Sequence, residues 1–484
     1  MIIPEDTPQT PKAPPQSREL EEDAEIPATS PPAYPGHESG SYQAGTSSTQ
    51  PLYVPVEPLS RTEPAGRRFL KAFGLAILIW FLFAALTSSV AELGRQSGRA
   101  LREHKDAATA WPLPSDGRML MCFKGPLAWD TIDGAHHVTL DISRTSDVLY
   151  LFSRGMETVG NVAIVQDERS AVSADGEESQ VVSVDIVARG ATPMWSHVFA
   201  VCALERRNGE KGIGIFTPKK WHSGGHYPSF DFDVTIRLPR SPSGHPLHVK
   251  SIETNLPNFE HHVGDLLGSV NFDSLSLRSS NAHIFSRSLN VTHGNFETTN
   301  KHIRGHYESH GNLTLRTSNA DIVADVSLFN HDPNVENVLN LQTSNAKIES
   351  TINLFSSLNH GSYTVSSKTS NGRLSLSVPV LPPDSTLHLS ANTTNLAAAV
   401  AVPDTYEGTY VVKTSNSRAV VKSDRRRDPT GKERKSIQWE SGTGPYREGG
   451  IEWKENHVSA VPSTEEARGS IWVSTQNAPA TLYL

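Results

Sequence analysis

Three histidines stand four residues apart in His302-Ile-Arg-Gly-His306-Tyr-Glu-Ser-His310. On a helix that spacing puts them on one face, where neutral imidazoles could share a metal ion. Gly305 and the alternation of apolar and polar residues around it instead assign the segment to a strand. There the three still share a face, but each step is about 13 Å, too far for one ion, so they read as surface histidines. Asp321 and Asp325 are the nearest carboxylates for glycosidic chemistry, which needs two such groups about 5–10 Å apart in a cleft. They flank an apolar strand, and nothing else converges on them. No Gly-x-Ser-x-Gly elbow, phosphate loop or His-Glu-x-x-His segment occurs. The expectation is a chain without catalytic, metal-binding or cofactor-binding residues.

The sharpest short motif is Pro31-Pro32-Ala33-Tyr34. It fits a WW-domain ligand: Pro31 and Pro32 favour polyproline II, which docks in an aromatic groove at little ordering cost, and Tyr34 fills a second pocket. A coincidence of Pro-rich composition is the competing reading. Two cysteines, Cys122 and Cys202, lie in apolar strand-like runs. They form a disulfide in an oxidising compartment or stay as two buried thiols, and they are no zinc site.

Most of the information sits in a repeated phrase. After residue 250 strand-like alternation runs repeatedly into Ser/Thr, then Asn, then usually a small residue. The clearest copies end at Asn281, Asn319, Asn345, Asn371 and Asn416; Asn300, Asn395 and Asn477 are looser, and Glu253-Thr-Asn255 is the weakest. From Asn281 to Asn416 the spacings are 19, 19, 26, 26, 24 and 21 residues, the length of one coil or hairpin stacked on its neighbours. Leu313 and Leu315, or Leu339 and Leu341, give each strand one apolar face, and Ile284, Ile303, Ile322, Ile348 and Leu374 restart the alternation after the turn. Asn ends the strand because it tolerates left-handed backbone and bonds nearby peptide groups. Stacked in register, Asn281, Asn300, Asn319, Asn345, Asn371, Asn395 and Asn416 are expected to form a ladder of amide-to-backbone hydrogen bonds along one edge.

Composition divides the rest. Residues 1–68 hold 13 of the 32 prolines, ten acidic and five basic residues, and no Trp, Phe or Cys. Such a segment buries too little apolar surface to offset its ordering entropy and reads as a disordered tail. Residues 72–91 carry no charge, and as a helix they would rise about 30 Å, enough to cross a bilayer. The polar stretch ahead of them argues for a signal anchor over a cleaved signal peptide. Flanking charges tie: Arg61, Arg67, Arg68 and Lys71 precede the segment, and Arg95, Arg99, Arg102 and Lys105 follow it. The sequons at Asn290, Asn312 and Asn392 all come after it, which favours a cytosolic N-terminus and an extracellular or lumenal C-terminus. A linker at 92–117 then leads to period-two strand patterns at 118–240, expected as a β-sandwich-like cap on a β-helix or solenoid-like repeat stack at 245–484. A basic insertion lies at 421–449. Its Arg425, Arg426, Arg427, Lys432, Arg434 and Lys435 read as a solvated loop, a contact for anionic polymer or lipid, or a processing site. The folded part is near neutral, so no nucleic-acid partner is expected.

Between alternating apolar residues, the Thr-Ser-Asn-Ala/Gly phrase resembles that of the putative-adhesin domains of unknown function, widespread in bacteria and found in fungal-type single-pass membrane proteins with a Pro-rich tail. The resemblance covers roughly 245–484 by motif. It implies a β-helix-like stack at a cell surface with no catalytic residues to carry over; the uneven spacing and the basic insertion depart from it. The sequence is thus read as an all-β ectodomain on a type II membrane anchor. The partners expected are the bilayer, wall polysaccharide or surface proteins, and WW-domain proteins. The alternatives are a carbohydrate-active β-helix enzyme and a membrane adaptor recruiting WW-domain ubiquitin ligases. If the tail motif is used, Tyr34→Ala will abolish pull-down by a WW-domain panel and slow turnover of the full-length chain; unchanged binding and turnover reduce it to composition.

Overall fold

The computed structural model describes residues 112–484 apart from 125–127, 133–134, 156–157, 168–180, 190–198, 218–229, 242–243, 333, 359, 424–425 and 455–468. The tail with Pro31, Pro32 and Tyr34, the apolar segment 72–91 and most of the linker lie outside the described residues. Among the described residues no helix is long and apolar enough to cross a membrane.

Strand follows strand because apolar and polar residues alternate almost throughout, and the apolar set is the buried one. The strands form two hydrogen-bonded ladders. The first begins with β1 (Arg118–Lys124), β7 (Ala200–Arg207), β8 (Glu210–Phe216), β4 (Val148–Arg154), β10 (Leu247–Asn255) and β12 (Val270–Arg278). It continues through the second halves of β13 (Ile284–Glu297) and β14 (Ile303–Arg316), then β16 (Asn337–Gln342), β18 (Ser362–Lys368) and β20 (Thr386–Asn392). It ends with β26 (Gly469–Ser474), β22 (Gly408–Lys413), β25 (Tyr446–Lys454) and β24 (Lys435–Ser441).

The second ladder opens with β2 (Asp130–Ile132), β3 (Ala135–Ser143), β6 (Val181–Arg189), β9 (Phe230–Leu238), β5 (Thr158–Gln166) and β11 (Phe259–Asp265). The first halves of β13 and β14 follow, then β15 (Ile322–Asn330), β17 (Ile348–Ser356), β19 (Leu374–Val380), β21 (Ala398–Ala401), β27 (Ala480–Tyr483) and β23 (Ala419–Lys422). β13 and β14 cross from one ladder to the other without a break and join all the strands into one sheet. Each coil contributes one strand to each ladder, and the inner faces share one continuous core running from Val138 to Leu482.

All-β architecture agrees with the sequence reading, but two features differ. Residues 118–240 are not a separate sandwich laid on a stack. The pairs β4/β5 and β8/β9 join the parallel stack themselves, and only β1, β2, β3, β6 and β7 close its end with antiparallel pairing. These coils have the in–out alternation but not the Asn phrase, so phrase counting misses them. The second difference is order. β4/β5 sits between β8/β9 and β10/β11, and β26/β27 sits between β20/β21 and β22/β23. The C-terminal coil is therefore an insertion, parallel-paired on both sides in both ladders.

Among the described residues two imidazoles are buried, His136 against Trp129 and Phe199, and His261. His261 is 1% exposed, lies 2.7 Å from the Thr254 hydroxyl and 3.1 Å from the Phe259 carbonyl, and burial pushes its pKa down to about 3. It stays neutral and structural at physiological pH.

Removing residues 469–484 exposes the inner faces of two coils at once, so the truncated chain should lose cooperative melting and become protease-sensitive from β22 onward. A synthetic 469–484 peptide added during refolding should restore both; an unchanged melting profile in the truncated chain would mean that β22/β23 closes the gap unaided.

Candidate functional site

The repeated phrase forms one corner of every coil from β12/β13 onward. Its first residue, Ser279, Thr298, Thr317, Thr343, Thr369, Thr393, Thr414 or Thr475, is buried. The threonine hydroxyls donate to a carbonyl of the neighbouring coil at 2.9–3.4 Å. Threonine suits the site because its methyl faces the core while its hydroxyl is bonded; an unbonded buried hydroxyl would cost about 1–3 kcal/mol. The asparagine then turns outward. Its backbone N–H donates to the neighbouring coil at 2.7–3.0 Å, and its side chain does the same to the next asparagine.

Each Nδ2 donates to the Oδ1 of the preceding rung at 2.6–2.8 Å. The order of rungs is Asn258, Asn281, Asn300, Asn319, Asn345, Asn371, Asn395, Asn477 and Asn416. The side-chain bonds run amide to amide rather than amide to backbone, because adjacent parallel coils place identical side chains about 4.8 Å apart. Asn255 is not a rung: it ends β10, and Asn258, three residues on, takes the place and bonds the Thr158 carbonyl at 3.2 Å. Every rung beyond Asn258 is exposed and keeps an N–H and an acceptor lone pair for a partner.

The other residues singled out by sequence scatter. His302 stacks on His283 with centroids 5.2 Å apart, His306 lies 3.3 Å from Asp325, and His310 Nδ1 is 2.8 Å from His331 Nε2. Each pairs with a neighbouring coil and not with another member of the triplet. Asp321 accepts the Lys347 N–H at 3.3 Å beside the Asn edge, whereas Asp325 lines a groove on the outer face of the second ladder. Cys122 and Cys202 pair in register on β1 and β7 as a disulfide, Cα atoms 4.1 Å apart, next to Tyr150, Phe152, Leu204 and Phe216. Among the sequons, Asn312 is exposed. Asn290 donates to Asn271 at 3.2 Å, and Asn392 is held by Ser390 at 2.7 Å and Ser474 at 2.5 Å.

The basic insertion is not a solvated loop throughout. Its β24 pairs with β25 to cap the stack. Arg426 is 2% exposed at its side chain and donates to the Pro403 and Tyr406 carbonyls at 3.0 and 3.2 Å. Arg434 bonds Asp428 at 3.2 Å, and both guanidiniums lie over Trp453, at 5.7 and 5.8 Å. A charge run in sequence does not disclose that an aromatic 27 residues beyond Arg426 will fold under it. Arg427, Lys432 and Lys435 remain exposed, and Arg425 lies outside the described residues.

A groove of about 520 Å³ opens on the outer face of the second ladder where β13 and β14 cross over. The pairing of β13 with β14 shifts register between Ser286 and Leu289. Gly305 permits the close approach: a Cβ there would lie 2.4 Å from the Ser286 carbonyl oxygen. Asp265, Glu308, Asp325, Ser327, Thr351 and Asn353 line the groove. Sequence reasoning named only Asp325 among these, because the others come from four different coils.

No family model matches the chain, and no curated protein matches it. Among solved structures, a putative cell adhesion protein from Clostridium sporogenes is similar over 72% of this chain and 99% of that chain, at 8% identity and a TM-score of 0.15. A likeness of that size carries no argument about activity.

The Asn ladder can be tested by charge. Asn345→Ala removes two exposed side-chain bonds and should cost about 1–2 kcal/mol. Asn345→Asp accepts from Asn371 but, ionised, faces the Asn319 carbonyl oxygen with no proton to give. Its protonated form restores that bond, so the folded pKa lies above the unfolded value. Stability relative to the parent should therefore be recovered at low pH and lost as pH rises through the folded pKa. Denaturation midpoints at pH 3.5 and 7 check this; a pH-independent difference would mean that the carboxylate does not face that oxygen.

Proposed function

We propose that this chain is a non-catalytic, membrane-anchored surface protein whose β-stack makes contact with a cell surface or wall. In this reading residues 72–91 are a signal anchor, residues 1–68 a cytosolic tail, and the stack is extracellular or lumenal. The observation that carries it is the exposed edge of the stack. Amides repeated at one-coil intervals along a rigid support offer regularly spaced donors and acceptors, which suits a repeating polymer or a broad surface better than one small substrate. The Cys122–Cys202 disulfide supports an oxidising compartment for the stack.

The test uses the full-length chain expressed in a walled eukaryotic host. External protease should remove the stack from intact cells and leave an N-terminal tag protected. Cells expressing the chain should adhere to isolated wall material more than vector controls do. A tag digested from outside, or adhesion equal to the control, would refute the reading.

A further inference from the structure

From the groove at the β13–β14 crossover, we infer a binding site for an uncharged oligosaccharide chain. The inference rests on the surface-contact reading and names the ligand class of one face. Glu308 on β14, Ser327 on β15 and Asn353 on β17 stand opposite one another on successive parallel strands. They make a row about 10 Å long, with Thr351 beside it, opposite Asp325.

This row lacks internal partners, whereas in the Asn edge, and between Asn290 and Asn271 or Thr364 and Glu336, polar side chains of adjacent coils bond one another. Within the described residues Glu308, Ser327, Thr351 and Asn353 make no side-chain hydrogen bond, although all are partly buried. Burial raises the pKa of Glu308, as expected for a carboxylate drawn from water without a compensating partner.

A concave site of this volume with several unspent donors and acceptors suits a ligand rich in hydroxyl groups. Charge narrows the class. Asp265, Glu308 and Asp325 outnumber Arg287 in the lining, with His306 held by Asp325, so a polyanion is repelled. Hydroxyls of a neutral sugar donate to the carboxylates and accept from Ser327, Thr351 and the Asn353 amide. The chemistry is binding alone, and no bond is made or broken.

The experiment measures binding of neutral hexasaccharides (β-glucan, cello- and manno-series) to the full-length protein in detergent micelles, beside polygalacturonate and chitosan oligomers. At least one neutral series should bind and polygalacturonate should not. Glu308→Ala should weaken binding tenfold or more. Ser327→Trp, which fills the groove, should abolish it with an unchanged melting midpoint, while Asn319→Ala on the other edge should leave it intact. Failure of every neutral series, binding untouched by Ser327→Trp, or binding confined to chitosan and lost in high salt would each overturn the inference. Glycan binding that persists in a protein whose cells do not adhere would sink the surface-contact reading and leave this one standing.

Discussion

The structure depends on the hydrogen bonding between successive coils at a single corner. There a buried Thr hydroxyl, an Asn backbone N–H and an Asn side chain all bond the neighbouring coil. A coil cannot slip by one residue without moving the hydroxyl out of the core and the amide into it, so the corner sets the register of both ladders. Everything else is free to vary around it. Asn281 to Asn319 advances in steps of 19 residues because β13 and β14 run straight across the opposite corner. Longer steps follow where loops at 331–336, 357–361, 381–385 and 402–407 replace that crossing. Uneven spacing is thus a property of the opposite corner and does not disturb the stack.

A parallel stack has open ends, and exposed strand edges invite pairing with other chains. Among the described strands the first ladder ends in antiparallel pairs on both sides, whereas the second has one such end and finishes at β23, paired in parallel with β27 alone. At one end β7 and β6 reverse direction, and a disulfide ties β1 to β7. At the other the β24–β25 hairpin covers β22, with Trp453 between two arginines. Out-of-order coils at both ends have a further consequence: the last residues of the chain lie inside the stack rather than at its tip. Loss of one strand there disrupts pairing on two sides.

The polar surface divides by whether its groups are already satisfied. On the Asn edge each amide bonds its neighbours and still presents a residual donor and acceptor. In the crossover groove, the carboxylate, hydroxyls and amide of three coils face a cavity with no side-chain partners among the described residues. The same repetitive fold thereby produces a self-bonded scaffold and, where β13 and β14 cross over, a concavity.

Sequence alone determined the all-β class, the corner and its outward asparagines, since period-two alternation and a residue type needed at every turn are local properties. It also limited the histidine triplet to the surface, because strand rise separates residues four apart. Tertiary structure decided the rest. Asn258 replaces Asn255 as a rung because the ladder is set by pairing across coils. Arg426 and Arg434 turn inward because Trp453 arrives from a strand that follows them. Cys122 meets Cys202 through antiparallel pairing across 80 residues of separation. Glu308, Ser327 and Asn353 become one row only when three coils stack. Local patterning states which way a side chain faces; which side chains face one another depends on the order in which coils lie in space, and here that order differs from the order along the chain.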